Sequence, residues 1–124
     1  MITGTKKKPL KIDKLLEDYN QPYELVILWE PEEDQPMRLY LVQVNGTRLA
    51  VDQLDVSSPA RFPLSTPADG KFNVRFAISP MVPISGAVIA IVNHSTGKKE
   101  VVDKTAALER SQLWRKSEVT VDAP

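Results

Sequence analysis

The sequence predicts an all-β chain: an antiparallel two-sheet sandwich, immunoglobulin-like or jelly-roll-like, preceded by a short N-terminal amphipathic helix. Three observations lead there. Short apolar or alternating runs recur from Tyr23 to Asp103 and are separated by turn signals. Ten prolines stand against five glycines, and eight of the ten fall between Pro22 and Pro83, in the gaps between those runs. Strands with stiff connections accept that placement and helix interiors do not. Finally, Asn45-Gly46 sits between two strand-like runs, the strongest short-range hairpin signal, because both central positions of a type I′ turn need positive φ.

The first element is the helix. Ile12, Leu15, Leu16 and Tyr19 fall at i, i+3, i+4 and i+7 within Leu10 to Tyr19, one stripe on a 3.6-residue period. Pro9 stands near its start and Pro22 just past its end. A helix of this length is marginal alone in water, so the stripe docks on its own domain or on another chain.

From Tyr23 the period becomes two. Tyr23 to Trp29 reads as a strand, stopped by the acidic loop Glu30 to Pro36; Met37 to Val44 and Thr47 to Asp52 flank the Asn45-Gly46 turn. A two-residue loop pairs Val44 with Thr47, Val42 with Leu49 and Tyr40 with Val51, all on one inner face. Leu39, Leu41, Gln43, Arg48, Ala50 and Asp52 then form a wetter outer face, and Leu39 and Leu41 are more apolar than solvent alone requires.

Residues 53 to 70 are rich in proline and serine, with a short edge strand suggested at Arg61 to Ser65. Lys71 to Ile78 alternates cleanly, Phe72, Val74, Phe76 and Ile78 facing one way. Ala87 to Asn93 is almost entirely apolar and reads as a strand covered on both faces; His94 to Gly97 is a loop, and Lys98 to Asp103 a more polar partner. Thr105 to Lys116 reads as a short helix or an irregular stretch, and Ser117 to Val121 alternates as a last strand would. The organisation expected is a basic arm with the helix over 1–22, the sandwich over 23–104 and a C-terminal segment over 105–124. Ala87 to Val102, strand, Asn-loop, Gly, strand, resembles in outline the last hairpin of a fibronectin-type domain, over about 16 residues. The resemblance carries no family-specific motif.

Composition excludes several chemistries. With no cysteine, disulfides, zinc-cysteine sites and thiol catalysis are ruled out. Met1 to Lys8 is basic without an apolar stretch behind it, so no cleavable secretory signal is expected. The longest apolar run, Ala87 to Val92, is far below the roughly 20 residues of a spanning helix. The expected location is the cytoplasm, or a virion into which the protein is assembled. Net charge is zero, but its distribution is uneven. Residues 6–14 hold five lysines and one acid, while residues 17–34 hold seven acids and no base, a dipole suited to an arm or docking surface.

No catalytic, cofactor or metal site is expected. His94, the one histidine, reads as a solvated turn residue, since no nucleophile-elbow pattern accompanies Ser95. The acidic loop Glu30-Pro31-Glu32-Glu33-Asp34 lacks the alternation and glycine of a known calcium loop. Nothing fixes the spacing a glycosidase pair such as Asp52 and Asp55 would need. Lys6, Lys7 and Lys8 give at most weak, non-specific contact with nucleic acid. Trp29, at the end of an apolar strand, reads as core, and Trp114, beside Arg115 and Lys116, as an exposed anchor.

The function expected is that of a non-enzymatic structural or interaction module within a larger assembly, most concretely a virion accessory protein, either a capsid decoration or tail-associated. A protein partner or a second copy would be bound through Ile12, Leu15, Leu16, Tyr19, Leu39, Leu41 and Trp114. Two alternatives stand beside it: a carbohydrate- or other ligand-binding sandwich, which requires exposed aromatic residues, and a small enzyme gathering His94 with a carboxylate.

Overall fold

The structure, a computed structural model, describes residues 22–30, 36–50 and 54–124. Among them are nine strands and no helix: β1 (Tyr23–Glu30), β2 (Met37–Val44), β3 (Thr47–Ala50), β4 (Leu54–Val56), β5 (Ala60–Leu64), β6 (Lys71–Pro80), β7 (Gly86–Asn93), β8 (Lys99–Thr105) and β9 (Trp114–Asp122). All pairings are antiparallel. Sheet A has the order β5-β1-β7-β8; sheet B has β3-β2-β6-β9, with β4 beside β3 on the same edge of β2. The expected amphipathic helix with its stripe Ile12, Leu15, Leu16 and Tyr19 lies outside the described residues. No helix among those described is long and apolar enough to cross a membrane.

Alternation builds the core between the sheets. Leu25, Ile27 and Trp29 of β1 and Ile89 and Ile91 of β7 meet Phe72, Val74, Phe76 and Ile78 of β6, all buried. The β6 face is thus the one its sequence alternation predicts. Tyr23 and Phe72 cross from sheet to sheet with ring centroids 5.1 Å apart at 69°, an edge-to-face contact. At the other end of β1, the Ser58 hydroxyl accepts from the Trp29 N–H at 3.1 Å and reaches its carbonyl at 3.4 Å. It serves the backbone where β5 no longer pairs, the register with β1 running only from Leu64 to Ala60.

Asn45 fixes the β2–β3 hairpin to β6. Its φ of 49° and that of Gly46, 82°, are the left-handed pair the turn requires. The Asn45 N–H donates to the Asn73 carbonyl at 2.9 Å, while the Asn73 N–H donates back to Asn45 Oδ1 at 2.7 Å.

The register departs from the sequence reading at one place that matters for function. Val44 faces Thr47 and Gln43 faces Arg48 as expected, but Val42 then faces Ala50, not Leu49. On its other side β2 pairs Leu39 with Ile78 and Leu41 with Ala77, leaving Tyr40 as an extra residue in a β-bulge. A bulge restarts the alternation. Met37 and Leu39 point into the core before it, Val42 and Val44 after it, and Tyr40 turns outward. The assignment of Tyr40 to the inner face and Leu39 to the outer face is therefore corrected. Val51 and Asp52, the expected partners of Tyr40 and Leu39, lie outside the described residues; Leu39 faces Leu54 of β4 instead.

Two further corrections concern stretches with weak alternation. Residues 54–56 form β4 within what reads as a proline- and serine-rich connection. Of the two forms expected for residues 105–116, the irregular one is found over 106–113, where the chain bridges Leu108 to Ile84; the correction is that it enters β9 already at Trp114, three residues before the alternation that marks it. The edge strand expected near Arg61 to Ser65 is β5, which among the described residues pairs with β1 alone and tolerates Pro63 for that reason.

Candidate functional site

Three places hold side chains arranged for more than packing: a buried pair in sheet A, an uncharged cleft beside the β2–β3 hairpin, and an exposed cluster around the β2 bulge.

The buried pair joins Glu24 of β1 to His94, which opens the β7–β8 turn. His94 Nε2 lies 2.9 Å from Glu24 Oε1, and Glu24 has no exposed surface. Its other oxygen, Oε2, is buried without a hydrogen-bond partner. Burial pushes the Glu24 carboxyl above the usual carboxylate range, opposed by the hydrogen bond and charge of His94 and by the charge of Arg61. The loop is built as a turn: Asn93 Oδ1 accepts the N–H groups of Ser95 and Thr96, and the His94 N–H donates to the Pro22 carbonyl at 2.9 Å. The expectation of a solvated histidine is thus corrected, its side chain being 16 % exposed. Sequence reasoning missed Glu24 as a site residue. The available signal was an acid inside the apolar run Tyr23 to Trp29. The pair does gather the histidine and a carboxylate, but a fully buried acid orients its partner and does not meet a substrate.

The cleft has a volume of about 320 Å³ and lies between the hairpin and the 65–68 connection, lined by Val44, Asn45, Leu49, Pro63, Thr66 and Phe72 among others. Among the described residues no charged side chain lines it, and the one aromatic that does, Phe72, is buried in the core.

The exposed cluster follows from the bulge. Tyr40 stands 42 % exposed and, with Arg38, Met81 and Arg110, borders a depression of about 140 Å³. Arg38 forks onto Asp55, Nε to Oδ1 at 2.8 Å and Nη2 to Oδ2 at 3.2 Å, and its Nη2 also lies 3.8 Å from Met81 Sδ. Arg38 holds the Asp55 carboxyl below the usual carboxylate range through that hydrogen bond. The 106–113 connection is brought to this edge by the Ser111 N–H, which donates to the Pro80 carbonyl at 2.8 Å. Leu113, in the same connection, is 49 % exposed.

The sequence-predicted partner residues are dispersed by the fold. Leu39 is core and Leu41 half-buried beside Ala77. Trp114 is 7 % exposed, its ring edge-to-face with Phe76 at 5.1 Å and its Nε1–H donating to Asp103 Oδ2 at 2.8 Å across to sheet A. The exposed-anchor reading of Trp114 is corrected accordingly. With Trp29 also buried, a tryptophan sugar platform is removed. Among the described residues no three His, Asp or Glu side chains converge on a common point. Residues 31–35 of the acidic loop, and Asp52, lie outside them. No protein-family model, curated protein or solved structure matches the chain.

Proposed function

We propose that this protein is a non-enzymatic interaction module that works within a larger assembly, and that it meets its neighbour through the Tyr40 surface of sheet B. The observation that supports this reading is the bulge at Tyr40, which leaves an aromatic side chain exposed between buried Leu39 and half-buried Leu41, beside Arg38, Met81 and Arg110. Tyrosine, arginine and methionine are the residues over-represented at interface centres, because each covers much area while keeping a polar or polarisable end. The most concrete form of the proposal is a virion accessory part, a capsid decoration or a tail-associated protein, which rests on analogy with small sandwiches carrying charged arms. The neighbour is a second copy of the chain in the first instance.

The test is the association of the full chain by sedimentation velocity, compared with a Tyr40→Ala, Arg110→Glu double variant. The proposal expects self-association that the double variant weakens at least tenfold with its thermal unfolding unchanged. Association that the double variant leaves intact would place the interface elsewhere.

A further inference from the structure

The 106–113 connection holds a backbone outlier. Ser111 has a φ of 64°, in the left-handed region that residues with a Cβ rarely adopt. It lies within the turn 109–112, which is closed from both sides. The Gln112 N–H donates to the Glu109 carbonyl at 3.1 Å, and the Glu109 N–H donates to Gln112 Oε1 at 2.9 Å. The Ser111 N–H, donating to the Pro80 carbonyl at 2.8 Å, ties the turn to the end of β6. Core packing does not account for this strain, since residues 109–112 are all exposed. A strained turn held in place without burial is a feature of surfaces that bind.

What the turn presents is a pair of opposite charges. Among the described residues neither the Glu109 nor the Arg110 side chain makes a hydrogen bond or an ion pair. Arg110 borders the depression of about 140 Å³ beside Tyr40 and Met81. The other cation there, Arg38, is already forked onto Asp55. Among the described residues no acid lines the depression. A neighbour that brings a carboxylate to Arg110 therefore completes it. For a second copy, symmetry decides which carboxylate arrives. A two-fold contact sets one patch against itself, so residue i of one copy meets j of the other and j meets i. The acid delivered must then stand at the rim of the depression. Two of the described acids do so, Asp55 through its bonds to Arg38 and Glu109 through its place next to Arg110. Asp55 is held by Arg38, which leaves Glu109.

From these observations we infer that the turn 109–112 is the ionic clamp of a two-fold dimer, Glu109 of each copy pairing with Arg110 of the other. The inference rests on the self-association proposed for the Tyr40 surface, and it names the symmetry and the residues that set the register. The fixed turn places both charges before contact is made, which lowers the ordering cost of the pairs. The two pairs, related by the axis, flank Tyr40 and steer the copies together, so association weakens as salt is raised.

Exchanging the charges between copies tests this by sedimentation velocity of the full chain. Arg110→Glu alone sets acid against acid on both sides of the axis, and Glu109→Arg alone sets base against base. Each should weaken self-association about tenfold or more. An equimolar mixture of the two variants restores both pairs and should associate as the parent does. Recovery in the mixture also requires that both variants are folded. Arg110→Glu combined with Glu100→Lys, on the edge strand β8, restores the net charge without the contact and should stay weak. A mixture as weak as its components, or recovery through Glu100→Lys, would overturn the inference. Single variants that associate like the parent would overturn it as well, and Tyr40→Ala then separates it from the reading beneath it. Weakening by Tyr40→Ala leaves the Tyr40 surface as the interface with a different ionic arrangement, while no weakening removes both.

Discussion

Glu24 and His94 are held 2.9 Å apart, with one carboxylate oxygen on the imidazole and the other buried and unpartnered. An acid in this position costs the fold more when ionised than when protonated, so its carboxyl is pushed above the usual range. In the window between the unfolded and the raised folded value, the folded state binds more protons than the unfolded one. Stability is therefore greatest below the ordinary glutamate range and is lost as pH rises through the raised value. Glu24→Gln should flatten this dependence and gain about 1 kcal/mol at neutral pH. Urea midpoints of both proteins from about pH 4 to about pH 8 check it; parallel curves would contradict it.

The bulge at Tyr40 makes neighbours in sequence opposites in energy. Leu39→Ala removes a fully buried side chain and should cost about 2–5 kcal/mol. Tyr40→Ala removes an exposed one and should fall within about 0.5 kcal/mol of the parent. Chemical denaturation of the two variants distinguishes the observed register from an unbroken alternation, which would reverse their order.

Trp114 acts from the core, through its ring on Phe76 and its N–H on Asp103. Trp114→Phe keeps most of the packing but leaves the Asp103 carboxylate without its donor, a loss of about 1–2 kcal/mol. Trp114→Ala should lose about 3–5 kcal/mol. The check is thermal unfolding of both, with the alanine variant lower.

Asn45 is required for two reasons at once, its positive φ and its bonds to Asn73. Asn45→Ala strains the positive φ and loses the Oδ1 acceptor of the Asn73 N–H, while its own backbone N–H still reaches the Asn73 carbonyl, and should cost about 1–3 kcal/mol. Asn45→Gly keeps the backbone freedom and should recover part of that. Equal stability of the two variants would remove the backbone contribution.

Much of the architecture was legible wherever local chemistry and alternation agree. Asn45-Gly46, the Phe72 to Ile78 alternation and the proline-tolerant edge strand near Arg61 each carry their reason within a few residues. What was hidden depends on contacts distant in sequence. A bulge adds one residue without leaving a mark, so Tyr40 and Leu39 exchange faces. Glu24 looks like one more acid in the charged front third until β7 brings His94 to it, 70 residues away. Trp114 looks exposed between polar neighbours because its partners, Phe76 and Asp103, lie on other strands. The cluster at Tyr40 gathers Met81 and Arg110 from two connections, which no local pattern announces.

The central claim is that this sandwich works by association, and the mass of the full chain in solution tests it most directly. Light scattering from low to high micromolar concentration should show a mass rising with concentration above that of the 13.9 kDa chain. A single species of monomer mass throughout that range would contradict it.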